Sequence, residues 1–246
     1  MTRRLFLAGA SGVVGRRLAP LLLADGWFVT GTTRSTDRAV VLARAGIDPV
    51  VVDVFDAEKL RAAVVRARPS VVIHQLTDLP PGLDASRLAA ALGPNARIRE
   101  EGTRNLIAAA LAAGAQRMVA QSLAFAYAQG APPHGEEDPL DVDAPGAAGV
   151  TARGVASLER QMREARLEWL VLRYGRFYGP GTGFEKAAAA APLHIDDAAE
   201  AARLAARRGT SGIYNIAEDD GAVSIEKARR ELGWTPGGNG RQSIAR

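Results

Sequence analysis

Three glycines at a spacing of three, Gly9, Gly12 and Gly15, punctuate the run GASGVVG just after the apolar stretch Leu5-Phe6-Leu7-Ala8. A strand that ends in such a turn and opens a helix can offer peptide N–H groups to a pyrophosphate at the positive end of the helix. In that reading Gly9 permits the tight turn, Gly12 keeps a Cβ out of the phosphate's path and Gly15 lets the helix pack against the strand. Ala10, Ser11, Val13 and Val14 complete the cradle. The next apolar run ends Thr30-Gly31-Thr32-Thr33-Arg34. A carboxylate at that place would accept hydrogen bonds from the ribose hydroxyls of NAD, but the first one is Asp37. The planar guanidinium of Arg34 can pair instead with a 2′-phosphate. NADP is therefore the expected cofactor, with NAD as the alternative.

These groups need elements to hold them. Apolar runs predict strands at Arg3–Ala8, Trp27–Thr33, Pro49–Val54, Ser70–Gln75, Gln116–Ser122, Leu167–Tyr174 and Gly212–Ile216. Helical spacing alternates with them at Val13–Ala24, Asp37–Ala45 and Ala57–Ala67, then along Asp84–Ala113 with a break at Gly93-Pro94. Further helices are predicted at Val150–Ala165, Ala198–Arg208 and Ser224–Leu232, and Ala131–Gly149 reads as a long loop. Strand–helix alternation with continuous apolar strands, such as Val50-Val51-Val52 and Val71-Val72-Ile73, implies an α/β fold. The expected architecture is a Rossmann-type, doubly wound parallel sheet. The polar tail from Gly237 is expected to fray.

Composition narrows the function. The chain has 246 residues, 47% hydrophobic and 24% charged, enough for one substantial core. Its net charge of +4 comes from arginines scattered among acids, without a basic run interleaved with aromatics, so no nucleic-acid partner is expected. No apolar run reaches the ~18 residues that span a bilayer, so no membrane partner is expected. The absence of cysteine excludes thiolate sites and fits a reducing, cytoplasmic setting. No metal-ligand spacing occurs.

The glycine spacing, Gly-x-x-Gly-x-x-Gly, resembles that of the extended short-chain dehydrogenase/reductase superfamily, the NAD(P)-dependent epimerase/dehydratase family. Matching words continue in order: Asp53-Val54, Glu101-Gly102-Thr103-Arg104-Asn105-Leu106, Gln121-Ser122, the run from Leu172 through Tyr178-Gly179-Pro180-Gly181, His194-Ile195-Asp196-Asp197, Tyr214-Asn215-Ile216, and Ala228 to Trp234. The resemblance implies that Asp53 and Val54 face the adenine. It also implies that Leu76, Gln121 and Tyr174 border the cofactor and that residues 1–174 form the NAD(P)-binding part. Residues 175–246 would be a small, shortened substrate lobe interleaved with that core, since Gly183–Pro192 and Asp219-Asp220-Gly221 are brief where the family carries longer insertions. A trimmed lobe leaves the pocket open, or completed by the second copy of a homodimer.

The family's chemistry uses a tyrosine phenol as proton carrier and a lysine four residues later. A phenol of pKa about 10 needs such a cation to act near neutrality. The tyrosines here are Tyr127, Tyr174, Tyr178 and Tyr214, and none has a lysine four residues on. Aligning on Glu159 puts Thr151 in the tyrosine slot and Val155 in the lysine slot. Three readings stay open: an oxidoreductase or epimerase that recruits another acid, one in which water or substrate relays the proton, or a cofactor-binding regulatory or scaffold protein. For an enzyme acting on a carbonyl or hydroxyl of a small polar substrate, such as a nucleotide sugar, the candidate catalytic residues are Ser122, Tyr127 and Tyr178. Arg173 and Arg176 are candidates for clamping an anionic substrate, although Arg173 also suits a buried carboxylate partner. Among the histidines, His74 is expected beneath the cofactor, His134 in solvent and His194 at a structural joint. Asp196 and Asp197 are expected to cap the helix that follows them.

Overall fold

The computed structural model describes residues 3–187 and 189–238. Strands β1 (Arg3–Ala8), β2 (Trp27–Thr33), β3 (Asp48–Val51), β4 (Val71–His74), β5 (Arg117–Leu123), β6 (Glu168–Tyr174) and β9 (Gly212–Ile216) form one sheet in the order β3-β2-β1-β4-β5-β6-β9. Every pairing in it is parallel. The chain winds outward through β2 and β3, then crosses back to β4, so the order reverses between β1 and β4. A ligand groove opens at such a switch point, outside the carboxyl ends of the strands.

Helices α1 (Gly15–Ala24), α2 (Thr36–Arg44), α3 (Ala57–Ala67), α4 (Ala85–Arg97), α5 (Thr103–Ala112), α6 (Gly146–Glu164) and α7 (Ile195–Ala205) flank the sheet. One apolar cluster joins Leu18 and Leu22 of α1 to Ala198 and Ala202 of α7 beneath the sheet. The other joins Leu60 and Val64 of α3, Leu106 of α5 and Leu158 of α6 on the opposite face. Parallel strands are buried on both sides in this way, which is why they read as unbroken apolar runs. Two short strands, β7 (Arg176–Tyr178) and β8 (Pro192–His194), form a separate parallel ribbon beside the end of β6.

Several sequence expectations shift for local reasons. The third strand stops at Val51 because the chain turns out of the sheet at Asp53, whose Oδ1 accepts from Phe55 N at 2.9 Å. The helix expected to break at Gly93-Pro94 runs on to Arg97. The irregularity comes later, as a π turn at Ile98–Gly102 that leads into α5. Helix α6 begins at Gly146 rather than Val150, after Pro145. Gly149 lets that first turn close over Ala144, since a Cβ on it would lie 1.9 Å from the Ala144 oxygen. Helix α7 begins at Ile195, and its cap is His194, whose Nδ1 accepts from Asp196 N at 3.3 Å. The expected caps serve elsewhere: Asp196 pairs with Arg17 of α1 at 2.6 Å and Asp197 accepts from Gly237 N at 3.0 Å. The last helical segment ends in a π turn at Ala228–Leu232. The tail expected to fray lies largely outside the described residues.

Candidate active site

The cofactor groove is made mostly of backbone. Gly9 has φ +90°, and a Cβ on it would sit 2.8 Å from the Gln75 carbonyl, so only glycine lets β1 turn this close to the end of β4. A Cβ on Gly15 would fall 2.2 Å from Gly9 O, so the start of α1 can rest on the turn only through glycine. The turn is pinned by Gly9 N donating to Thr32 Oγ1 at 3.0 Å and by Ser11 Oγ donating to Thr33 Oγ1 at 3.2 Å. The amides of Ser11, Val13 and Val14 make no hydrogen bond to any acceptor among the described residues. That is a cradle suited to a diphosphate.

A cavity of about 140 Å³ opens over this turn, lined by Gly9, Ser11, Gly12, Arg34, Asp53 and Val54 among others. Ala10 and Val14 turn into the core instead, and Val13 faces Gly181. Arg34 reaches across to Asp78, with Nη2 2.7 Å from its carboxylate, and is more than half exposed. Arg38, in the first turn of α2, lines the same cavity.

A second cavity, about 310 Å³, joins the first at Leu76 and Thr77, which line both. Its walls are apolar: Leu79, Leu83, Phe125, Leu158, Phe177 and Phe184 all contribute. The polar side chains lining it include Gln121, Ser122, Tyr174, Tyr178 and three cations, Arg99, Arg176 and Lys186. Gln121 is held by Nε2 donating to Leu76 O at 3.0 Å. Tyr174 is buried, accepting from Gln75 Nε2 at 3.2 Å and donating to Ala198 O at 3.3 Å, and burial raises its pKa. Arg176 is exposed at the mouth over the Phe125 ring, its guanidinium carbon 4.1 Å from the centroid. The Tyr178 hydroxyl donates to Glu218, and its ring meets His194 edge-on.

Ser122 does not stand alone. Its Oγ donates to Glu159 Oε1 at 2.7 Å, and the same carboxylate takes Arg173 Nε at 2.8 Å and Nη2 at 2.7 Å. Arg173 is buried, and Glu159 outweighs the burial that would otherwise lower its pKa, leaving it above the ordinary value. Its third hydrogen bond goes to Glu136 O at 3.1 Å, and its guanidinium carbon lies 4.8 Å from the centre of the Tyr127 ring. The structure thus gives Arg173 the buried carboxylate partner rather than a place on the cavity wall. Tyr127 is not brought to the cavity either. Its hydroxyl donates to Asn215 Oδ1 at 2.6 Å, and its ring stacks on His134 at 4.9 Å. His134 is accordingly not in solvent as expected; it pairs with Asp138 at 3.0 Å against that ring.

The slots of the missing pair are inert: Val155 is fully buried, and neither it nor Thr151 lines the cavity. His74 is also fully buried. Its Nδ1 accepts from Leu76 N at 3.2 Å and its Nε2 contacts Thr103 Oγ1 at 3.2 Å. Desolvation, aided by the charge of Arg99, lowers its pKa to about 4 and keeps the ring neutral.

The pattern of the NAD(P)H-binding family matches residues 9–205, from the first glycine of the cradle to the end of α7. The chain belongs to the NAD(P)H-binding family. It is 41% identical over 244 residues to a 3-diazoavenalumate denitrifying reductase from a Streptomyces species, covering 91% of this chain and 78% of that one. The fold is shared with UDP-glucose 4-epimerase of Thermotoga maritima, at a TM-score of 0.75 and 18% identity over 95% of this chain and 94% of that one. It is shared too with the Bordetella bronchiseptica enzyme WbmG in complex with NAD, at 0.70 and 19% over 96% and 89%. The Rossmann-type parallel sheet read from the sequence is therefore the fold this NAD(P)H-binding protein has.

Of the charged residues lining the two cavities, sequence reading passed over Arg38, Arg99 and Lys186. Arg38 reads as one more helical arginine, although its place four residues after Arg34, just past the Ser35 cap, puts both beside one groove. Arg99 reads as a solvated helix face and becomes a cavity residue only through the π turn.

Proposed function

We propose that this protein is an NAD(P)H-dependent reductase whose substrate is a largely apolar aromatic electrophile, reduced without a proton from a protein acid. The observation that carries the reading is the apolar cavity continuous with the cofactor groove, none of whose tyrosines is followed four residues later by a lysine. A nucleotide sugar needs many hydrogen-bonding partners, whereas a wall of Leu79, Leu83, Phe125, Phe177 and Phe184 suits a flat hydrocarbon body. The Streptomyces relative, a 3-diazoavenalumate denitrifying reductase, points the same way.

A bound nicotinamide would supply hydride, and hydride added to an arenediazonium ion gives the arene and dinitrogen, with charge and atoms balanced and no proton required. In this reading the chain's own residues bind, orient and exclude water. Leu76 and Thr77 form the sill between the two cavities. Ser122 keeps its hydrogen on Glu159, so it holds the wall and leaves only lone pairs to face the ligand. NADPH is the preferred reductant, through Arg34 and Arg38 on the 2′-phosphate. Arg34 would exchange Asp78 for that phosphate.

The test is a panel of electrophiles with NADPH: an aryl diazonium acid, an aryl ketone and UDP-glucose. Coenzyme oxidation with release of dinitrogen from the first, and none with the others, supports the reading. Turnover of the sugar or ketone alone overturns it. Coenzyme binding without oxidation of any of them favours a regulatory or scaffold protein.

A further inference from the structure

Three cations and no carboxylate line the substrate cavity among the described residues, and they are unequally placed. Arg176 lies exposed at the mouth on Phe125, and Lys186 belongs to the segment between β7 and β8. Arg99 enters from the π turn between α4 and α5 and lines the cavity with Ser122 and Leu158. A π turn inserts one extra residue and redirects a side chain, and such turns are frequent at functional sites.

Room for Arg99 is made by Gly154 of α6. A Cβ there would lie 3.3 Å from Arg99 Cδ, so the aliphatic stem rests on the bare face of that helix, between the Thr151 and Val155 slots. Among the described residues its guanidinium makes one hydrogen bond, a long one from Nη1 to Thr151 O at 3.4 Å, and pairs with no carboxylate. Arg173 is the opposite case, saturated by Glu159. Burial lowers the Arg99 pKa to about 10, so the group stays charged at neutral pH while short of partners. A half-buried guanidinium with unused donors, set in apolar walls, is a receptor for a planar anion.

We infer that Arg99 is a substrate-binding residue that takes the carboxylate of an aromatic acid in a forked hydrogen bond. This rests on the reading of the cavity as a substrate site and adds the class of substrate: a flat apolar body with a carboxylate at its inner end. The cation thus stands beside the slots of the missing catalytic pair and binds the ligand instead of tuning a phenol.

The test needs no turnover. Titrate the protein, saturated with NADP, with naphthalene-2-carboxylate and with its neutral carboxamide. The acid should bind roughly 10–100-fold more tightly, the range for hydrogen bonds to charged groups. Arg99→Met should bring the acid down to the level of the amide and leave the amide unchanged, while Arg99→Lys keeps part of the preference. Arg176→Met should keep most of it. Equal binding of acid and amide by the parent protein, or an intact preference in Arg99→Met, overturns the assignment. If Arg99→Met does not fold, the parent comparison and Arg99→Lys decide. Because binding is read directly, a failure to reduce any diazonium acid would sink the reductase reading and leave this result standing on its own.

Discussion

The two halves of the site are built from different materials. The cofactor half is made of turns: glycines at the limit of approach, threonine hydroxyls and unused amides, with charge in Arg34, Arg38 and Asp53. The substrate half is made of side chains, with apolar walls and cations, and its polar interior is spent on itself in the Ser122–Glu159–Arg173 group. The first half can bind a dinucleotide whatever the reaction. In the proposed reduction the second half would decide the reaction, with Thr151 and Val155 standing where the resembled family has its phenol and lysine.

Breaking the cofactor half should have the largest effect. Gly15→Val drives a side chain into Gly9 O and the Ala10 backbone, both under 3 Å from a mere Cβ, and should abolish NADPH binding in a direct titration. If affinity survives, the cradle is not where the coenzyme sits. In the substrate half, Glu159→Ala leaves Arg173 buried without its counter-charge and should cost about 3–5 kcal/mol in urea denaturation. A loss below 1 kcal/mol, as at an exposed pair, would mean that the group is not a buried structural unit.

Acid should separate the halves from the unfolded chain. His74 is neutral in the fold down to about 4, whereas a free ring takes up a proton below about 6.5, so the unfolded state binds more protons in that window. Stability should therefore fall as pH drops from about 6.5 towards 4. His74→Gln should flatten part of that slope, and an unchanged slope would contradict the neutral buried ring.

Smaller effects sharpen the contrast. Replacing Arg34 and Arg38 with alanine should erase a preference for NADPH over NADH of roughly tenfold or more, read from the two dissociation constants. Equal constants in the parent protein remove that role. Tyr127→Phe should leave turnover unchanged and cost about 1 kcal/mol of stability through the lost bond to Asn215. A large drop in rate would return Tyr127 to the catalytic machinery.

Much of this was legible in the chain. β1, β2, α3 and β9 fall at their predicted bounds because apolar period and punctuation agree there, as in Asp25-Gly26 before Trp27. The glycine cradle was readable because φ > 0 and close approach leave few alternatives to glycine. The substrate half was harder. Arg99 depends on a π turn that no hydrophobic period announces, and Phe125 and Phe184 lie in loops placed by tertiary contacts. The partners of Ser122 and Arg173 are distant in sequence, though Glu159 was the residue that located the empty slots. β7 and β8, three residues each, are too short to carry a period.

In the proposed reduction, hydride transfer proceeds without a protein acid. It is tested most directly by comparing turnover of an aryl diazonium acid in water and in D2O, with NADPH and with NADPH carrying deuterium in place of the transferred hydride. The account predicts a slower rate with the labelled coenzyme and no change in D2O. A rate that falls severalfold in D2O while ignoring the coenzyme label would contradict it.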